Sequence, residues 1–274
     1  MCENCGCTGH NDPHPTSPRL REYLHAHVDP LGNIYYHSHN NNLTEHTHHD
    51  ASSPNETIKV INVNSSILAY NNRLAAQIRT ELEKRNIFAI NLMSAPGSGK
   101  TTLLEKTIEL LHPKLYCAVI VGDLATDRDA ARIKKSGAPV VQITTGTACH
   151  LDAHMIMAAL EKTPTGLDTS AFLLKNVGNL VCPAAFDLGE KLKVVLLSTT
   201  EGEDKPLKYP PIFAGAHAVI ITKVDLAPLV DFDIQAARSN IATVVPKAKV
   251  ITLSAKTGEG MHDWISYLQN AINA

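Results

Sequence analysis

From residue 57 onward the apolar positions alternate between two periods. NSSILAYNNRLAAQIRTELEKRN (64–86) carries apolar side chains at helical spacing, which predicts a helix with Asn64 or Ser65 as its N-cap. IFAINLMS (87–94) is a short apolar run of the kind that forms a strand buried on both faces. The alternation continues with a helix over 99–111, a strand over 115–123, a helix over 127–137 closed by Gly137, a strand over 139–143 and a helix over 150–162. Further strands are predicted over 170–178, 193–199, 217–225 and 248–255, and helices over 231–244 and 261–273. Strands alternating with helices define an α/β fold with a mostly parallel sheet covered on both faces. No internal repeat interrupts the pattern.

Before residue 57 the pattern is lost. Stretches such as HNDPHPTSP and HSHNNNLTEHTHHDASSPNE hold too few apolar residues to offset the entropy of ordering the chain. The expected organisation is a mostly disordered Cys/His-rich extension over 1–56 and one folded domain over 57–274. Net charge is −2, so no basic surplus points to nucleic acid. No run of about 18 apolar residues predicts a membrane span, and no basic-then-apolar leader begins the chain. The expected location is cytoplasmic, where thiols stay reduced. There the six cysteines favour metal or redox chemistry over disulfides.

The junction between the strand at 87–94 and the next helix reads SAPGSGKTTLL. In that setting Pro96, Gly97, Ser98, Gly99, Lys100, Thr101 and Thr102 form a phosphate-binding loop. The glycines let the backbone approach phosphate oxygens, and the helix points its N-terminal amides at the anion. Lys100 reaches the β- and γ-phosphates, and Thr101 ligates Mg²⁺. Ser94 stands where the usual pattern has glycine.

Two later segments bear on the base. IITKVDL presents Thr222, Lys223 and Asp225 at a predicted strand end and resembles a guanine-reading N-K-x-D segment, with Thr in place of Asn. Asp225 would accept hydrogen bonds from guanine N1 and N2, donors that adenine lacks. A site built on such bonds rejects the analogue by roughly 10⁴-fold. ITLSAKTGEG then offers Ser254, Ala255 and Lys256 as the support of the base. Together the two segments favour GTP over ATP.

The chain opens MCENCGC, three thiols within seven residues. Cys2, Cys5 and Cys7 are soft ligands. With the initiator Met removed, the Cys2 amine is a fourth donor. Such a set suits Ni²⁺, and Zn²⁺ competes on ligand type. Nine of the 14 histidines lie in the first 49 residues, many at one-residue gaps, a composition that binds Ni²⁺, Zn²⁺ or Cu²⁺ with little geometric control. Storage or buffering follows from it.

SAPGSGKTTLL, GDLATDRDAARI, TTGTACHLDA, NVGNLVCPAAFDLGE and TEGEDKPLKYP, with the C-x-x-C-G-C opening, resemble the HypB family of hydrogenase nickel-incorporation GTPases from about residue 58 to the C-terminus. The resemblance implies a Rossmann-like P-loop GTPase domain that dimerises on GTP. It implies a metal site between subunits built from Cys149, His150 and Cys182, whose thiolate and imidazole donors suit Zn²⁺ or Ni²⁺. Cys149 and His150 would head the helix predicted at 150–162. It also implies an acid near Mg²⁺ and the γ-phosphate at Asp123, giving Lys100, Thr101 and Asp123 the catalytic work. Implied partners are a HypA-type metallochaperone and the [NiFe] hydrogenase large-subunit precursor.

Competing readings are a nickel or zinc storage protein with a regulatory G domain, and a related GTPase serving urease. Before N-V-G the chain departs from the family: Lys175 stands where an acid is usual, which leaves two readings open, a retuned magnesium shell with altered hydrolysis or a Lys that contacts phosphate directly. Asp127 and Asp129 are expected to be a charged first helical turn. Cys117 is expected in the core, and His112, His154, His217, His262, Trp264 and Tyr267 in surface or packing roles.

Overall fold

The computed structural model describes residues 24–28, 34–38, 63–163 and 169–273. The chain divides into two units, Met1–Lys59 and Val60–Ala274. In the first, β1 (Leu24–Val28) and β2 (Ile34–Ser38) pair antiparallel, with His25 opposite His37 and His27 opposite Tyr35. This hairpin falls inside the segment expected to be mostly disordered. Its period-two alternation, LHAHV, is carried by histidines that the compositional reading counted only as metal ligands. Cys2, Cys5 and Cys7 lie outside the described residues.

The second unit is a seven-stranded, all-parallel sheet. Its strands are β3 (Phe88–Ser94), β4 (Tyr116–Asp123), β5 (Val140–Thr144), β6 (Thr169–Gly178), β7 (Leu192–Ser198), β8 (Ala218–Thr222) and β9 (Lys249–Thr252). They lie in the order β5-β4-β6-β3-β7-β8-β9. After β3 the chain crosses to β4 and β5, returns to insert β6 beside β3, and then builds outward on the other side. The strand order therefore reverses around β3, where ligands of open α/β sheets bind at the carboxyl ends.

Among the described residues eight α-helices flank the sheet: α1 (Val63–Lys84), α2 (Lys100–Leu111), α3 (Arg128–Lys134), α4 (Ala153–Lys162), α5 (Lys205–Lys208), α6 (Pro210–Ala214), α7 (Ile234–Val244) and α8 (Met261–Asn273). Side chains of β3 alternate between the faces. Ile90 and Leu92 join one core with Leu103 and Leu104 of α2, Ile133 of α3 and Trp264 and Leu268 of α8. Ala89 packs with Ile78 of α1 and Ile156 of α4, and Met93 with Phe213 of α6 and Ile241 of α7. Each Leu, Ile, Met or Phe among them stabilises by about 1.5–3 kcal/mol when fully buried. Trp264 Nε1 donates to Thr107 Oγ1 (2.9 Å), which fixes α8 on α2 and satisfies the indole inside the core.

Three local expectations are corrected. Helix α1 begins at Val63, so Asn64 and Ser65 lie within its first turn and do not cap it. Helix α4 begins at Ala153 with Asp152 as its cap, accepting from Met155 N at 2.8 Å; Cys149 and His150 stand in the loop before it. Strand β8 stops at Thr222 because Lys223 takes a left-handed backbone conformation (φ 58°) that no strand continues through.

Candidate functional site

The loop from β3 into α2 wraps the start of a helix. Gly99 has φ 94° and Gly97 φ 76°, conformations that glycine adopts without steric cost. Ser98 Oγ donates to Ala95 O (2.8 Å) and lies 2.6 Å from Glu201 Oε1, while Thr222 Oγ1 donates to Ser98 O (2.8 Å). The loop is thus held from within and from the end of β8. Lys100 is buried. Its Nζ donates to Ser94 Oγ (2.6 Å) and to the carbonyls of Ser94 and Ala95 (3.3 Å each). Burial, then the nearby charge of Lys175, lowers the Lys100 pKa to about 7, against the opposing pull of Glu201 and Asp129.

Two neighbouring cavities share Ser98, Gly99, Thr102 and Lys223. One, of about 510 Å³, is bounded by the loop residues Pro96–Thr102 with Asp123, Asp129, Arg132, Lys175 and Gly178. The other, of about 360 Å³, is bounded by Thr222, Lys223, Asp225, Ser254, Ala255 and Lys256. The first is polar and cationic at the head of a helix, the place for phosphates. The second joins the two segments read as base-binding. Asp123 Oδ1 accepts from Ala125 N (3.2 Å), Thr126 N (3.0 Å) and Thr126 Oγ1 (3.3 Å), so its carboxylate is oriented by its own turn.

Asp129 does more than charge a helical turn. Its carboxylate lies 2.8 Å from Lys175 Nζ and hydrogen-bonds Thr101. Burial works to raise its pKa, but Lys175, Thr101 and Arg132 hold it below the usual carboxylate range. Asp129 stands in the first turn of α3, as expected, and makes this contact in addition. Sequence reasoning also missed Glu201. The signal for Lys175 and Asp129 was a lone cation within the apolar run SAFLLKNVG, which demands a buried counter-charge.

A second cluster lies in the loops after β5 and β6. One ligand atom from each of Cys149, His150 and Cys182 falls within 4.8 Å of the others. Cys149 Sγ is 3.9 Å from His150 Nδ1, and the His150 ring stacks on Phe186 with centroids 3.8 Å apart. A shared hydrogen bond with Cys149 and, next, burial raise the Cys182 thiol; burial lowers the His150 imidazole, with Asp152 opposing. A neutral imidazole and two thiols that surrender protons to a cation make a donor set for Ni²⁺ or Zn²⁺.

Buried side chains fix this cluster's loops. Asn176 Oδ1 accepts from Leu151 N (3.1 Å), Asn71 Oδ1 accepts from Ala153 N (2.8 Å), and Asn71 Nδ2 donates to Asp187 O (2.8 Å). Asn176 Nδ2 donates in turn to Asn91 Oδ1 (3.3 Å), and Asn91 Nδ2 to Glu190 Oε1 (3.2 Å). Burial raises the Glu190 pKa, with Lys193 opposing. Cys117 is buried in the core, away from both cavities, and burial pushes its thiol up to about 12.

A phosphate loop under a parallel sheet, with a base-sized cavity beside it, defines a nucleotide-binding α/β domain. Residues 88–252 match the profile of the CobW/HypB/UreG nucleotide-binding domain, and the chain belongs to that family. Within it the similarity is to the HypB proteins. Over 211 residues the chain is 52% identical to the hydrogenase maturation factor HypB of Azotobacter chroococcum mcd 1, covering 77% of this chain and 69% of that one. It is 40% identical over 220 residues to the hydrogenase/urease maturation factor HypB of Helicobacter pylori (strain 26695), covering 79% and 90%. A crystal structure of Helicobacter pylori HypB in complex with nickel superposes with a TM-score of 0.71 at 38% identity, covering 74% of this chain and 95% of that one. Among the described residues no helix is long and apolar enough to cross a membrane.

Proposed function

We propose that the protein is a cytoplasmic GTPase that carries Ni²⁺ for [NiFe] hydrogenase maturation. The observation that carries this reading is the coexistence, in one domain, of a phosphate-and-base cavity and a Cys149/His150/Cys182 cluster. Lys100 supplies positive charge to the β- and γ-phosphates, and the loop amides orient them. Asp225 selects guanine, with Ser254, Ala255 and Lys256 under the base. Hydroxyl and carboxylate oxygens of Thr101 and Asp123, with Asp129 touching Thr101, are hard donors that fit Mg²⁺. When bound, Mg²⁺ neutralises phosphate charge.

The cargo metal is held by Cys149, His150 and Cys182. Three ligands fall one short of a closed tetrahedral site, so a second copy of the chain completes the shell when GTP closes a homodimer. GTP hydrolysis to GDP reopens the dimer and releases Ni²⁺ to a HypA-type partner or to the hydrogenase large-subunit precursor. Zn²⁺ is an alternative occupant of the same ligands. Cys2, Cys5 and Cys7 with the His-rich extension capture and store Ni²⁺.

The test is nickel titration of the full chain with and without a non-hydrolysable GTP analogue, beside GTP turnover of Lys100→Ala. Delivery predicts one tight site whose affinity changes with nucleotide, and no turnover in the variant. Many ions per chain, indifferent to nucleotide, would identify a storage protein instead. The hydrogenase/urease name of the Helicobacter pylori relative favours a second reading, service to urease. Loss of urease activity alongside hydrogenase activity in a deletion strain would establish it.

A further inference from the structure

Lys175 is a buried cation with more donors than partners. It sits near the carboxyl end of β6, where its Cα faces Leu92 of β3 on one side and Val121 of β4 on the other. Its side chain is 5% exposed. Among the described residues its ion-pair partner is Asp129, at 2.8 Å, which occupies one of three N–H donors. Asp129 is partly exposed, so the buried ammonium is only partly compensated for the hydration it has lost. Lys175 also lies close enough to Lys100 for the two charges to oppose each other. Two buried ammonium groups in one pocket are stabilised by an anion of high charge, and their shared cavity is the one formed by Pro96–Thr102.

We propose that Lys175 is a phosphate-binding residue, an ammonium built into β6 and shared between Asp129 and the terminal phosphates of a bound nucleoside triphosphate. This rests on the reading of the cavity as a triphosphate site and extends it. Lys175 supplies there part of the positive charge that a divalent cation otherwise supplies. Nucleotide binding in this chain therefore depends only weakly on Mg²⁺. Asp129 limits the effect by competing for the same ammonium.

The test uses the full chain and a fluorescent non-hydrolysable GTP analogue, titrated in excess Mg²⁺ and in EDTA. Wild type is expected to bind in EDTA within about tenfold of its Mg²⁺ affinity. Lys175→Met is expected to lose about tenfold or more in EDTA and about threefold or less in Mg²⁺. Asp129→Asn, which frees the ammonium, is expected to hold or tighten binding in EDTA, and Lys175→Arg to restore it. Thermal unfolding of each variant reports its fold; should Lys175→Met not fold, Asp129→Asn and Lys175→Arg decide. Unchanged or tighter EDTA binding in Lys175→Met overturns the proposal, as does weakened EDTA binding in Asp129→Asn. Failure of wild type to bind the analogue in either condition would instead overturn the nucleotide reading itself.

Discussion

Thr222 Oγ1 donates to the carbonyl of Ser98 at 2.8 Å, tying the end of β8 to the phosphate loop across 124 residues of sequence. Thr222 lines the second cavity and Ser98 borders both, so one hydroxyl couples the two. Thr222→Val leaves a buried carbonyl without its donor and should lower stability by about 1–3 kcal/mol. Guanine nucleotide affinity should fall with it, and Thr222→Ser should restore both. Urea unfolding and nucleotide titration check this.

Ser94 replaces a glycine and holds Lys100, with its Oγ 2.6 Å from the ammonium. Ser94→Ala should cost about 0.5–1.5 kcal/mol of stability, the net range for one hydrogen bond, because Lys100 keeps two carbonyl acceptors. It should also tighten triphosphate binding by a few-fold, because Lys100 no longer leaves a side-chain acceptor to reach phosphate. Opposite movement of the two measurements is the expected signature.

Arg79 and Asp187 form a partly exposed ion pair (2.8 Å) that steadies the loop carrying Cys182. Burial works to raise the Asp187 carboxyl, but Arg79 and the Gly189 amide hold it below its ordinary 3.8. A depressed carboxylate contributes stability above its unfolded pKa and loses it as pH falls through the folded value. Asp187→Asn should therefore cost about 0.5–1 kcal/mol at neutral pH, after allowance for solvent screening. As pH falls through the depressed range of this carboxyl, the difference from wild type should close. Chemical denaturation across that pH range measures it.

Removal of a thiol from the internal cluster should act on metal and not on fold. In a chain with Cys2, Cys5 and Cys7 replaced by Ser, Cys182→Ser should weaken Ni²⁺ binding by on the order of tenfold or more. The thiolate-to-nickel absorption should fall in step. Because the Cys182 thiol holds its proton firmly, wild-type binding should release protons and weaken as pH falls.

Periodicity was enough to place the sheet and the six longer helices, because strands buried on both faces are continuous apolar runs. It assigned no helix at α5 and α6, where Pro206, Pro210 and Pro211 interrupt the apolar spacing. Proline is tolerated in a first helical turn, and these helices are little more than that. The turn from β3 into α2 was legible because Gly97 and Gly99, which take positive φ there, stand between a continuous apolar run and a helical one. Asp129 and Asn176 were not. Their partners, Lys175 and the Leu151 amide, are distant in sequence, and only the closed sheet brings each pair together.

Strand β6 carries Lys175 and Asn176 side by side, one bordering the phosphate cavity and the other gripping the loop that bears Cys149 and His150. Successive side chains of a strand point to opposite faces. The cavity proposed for nucleotide and the cluster proposed for metal therefore share a wall one strand thick, and each is registered against the same ribbon of backbone.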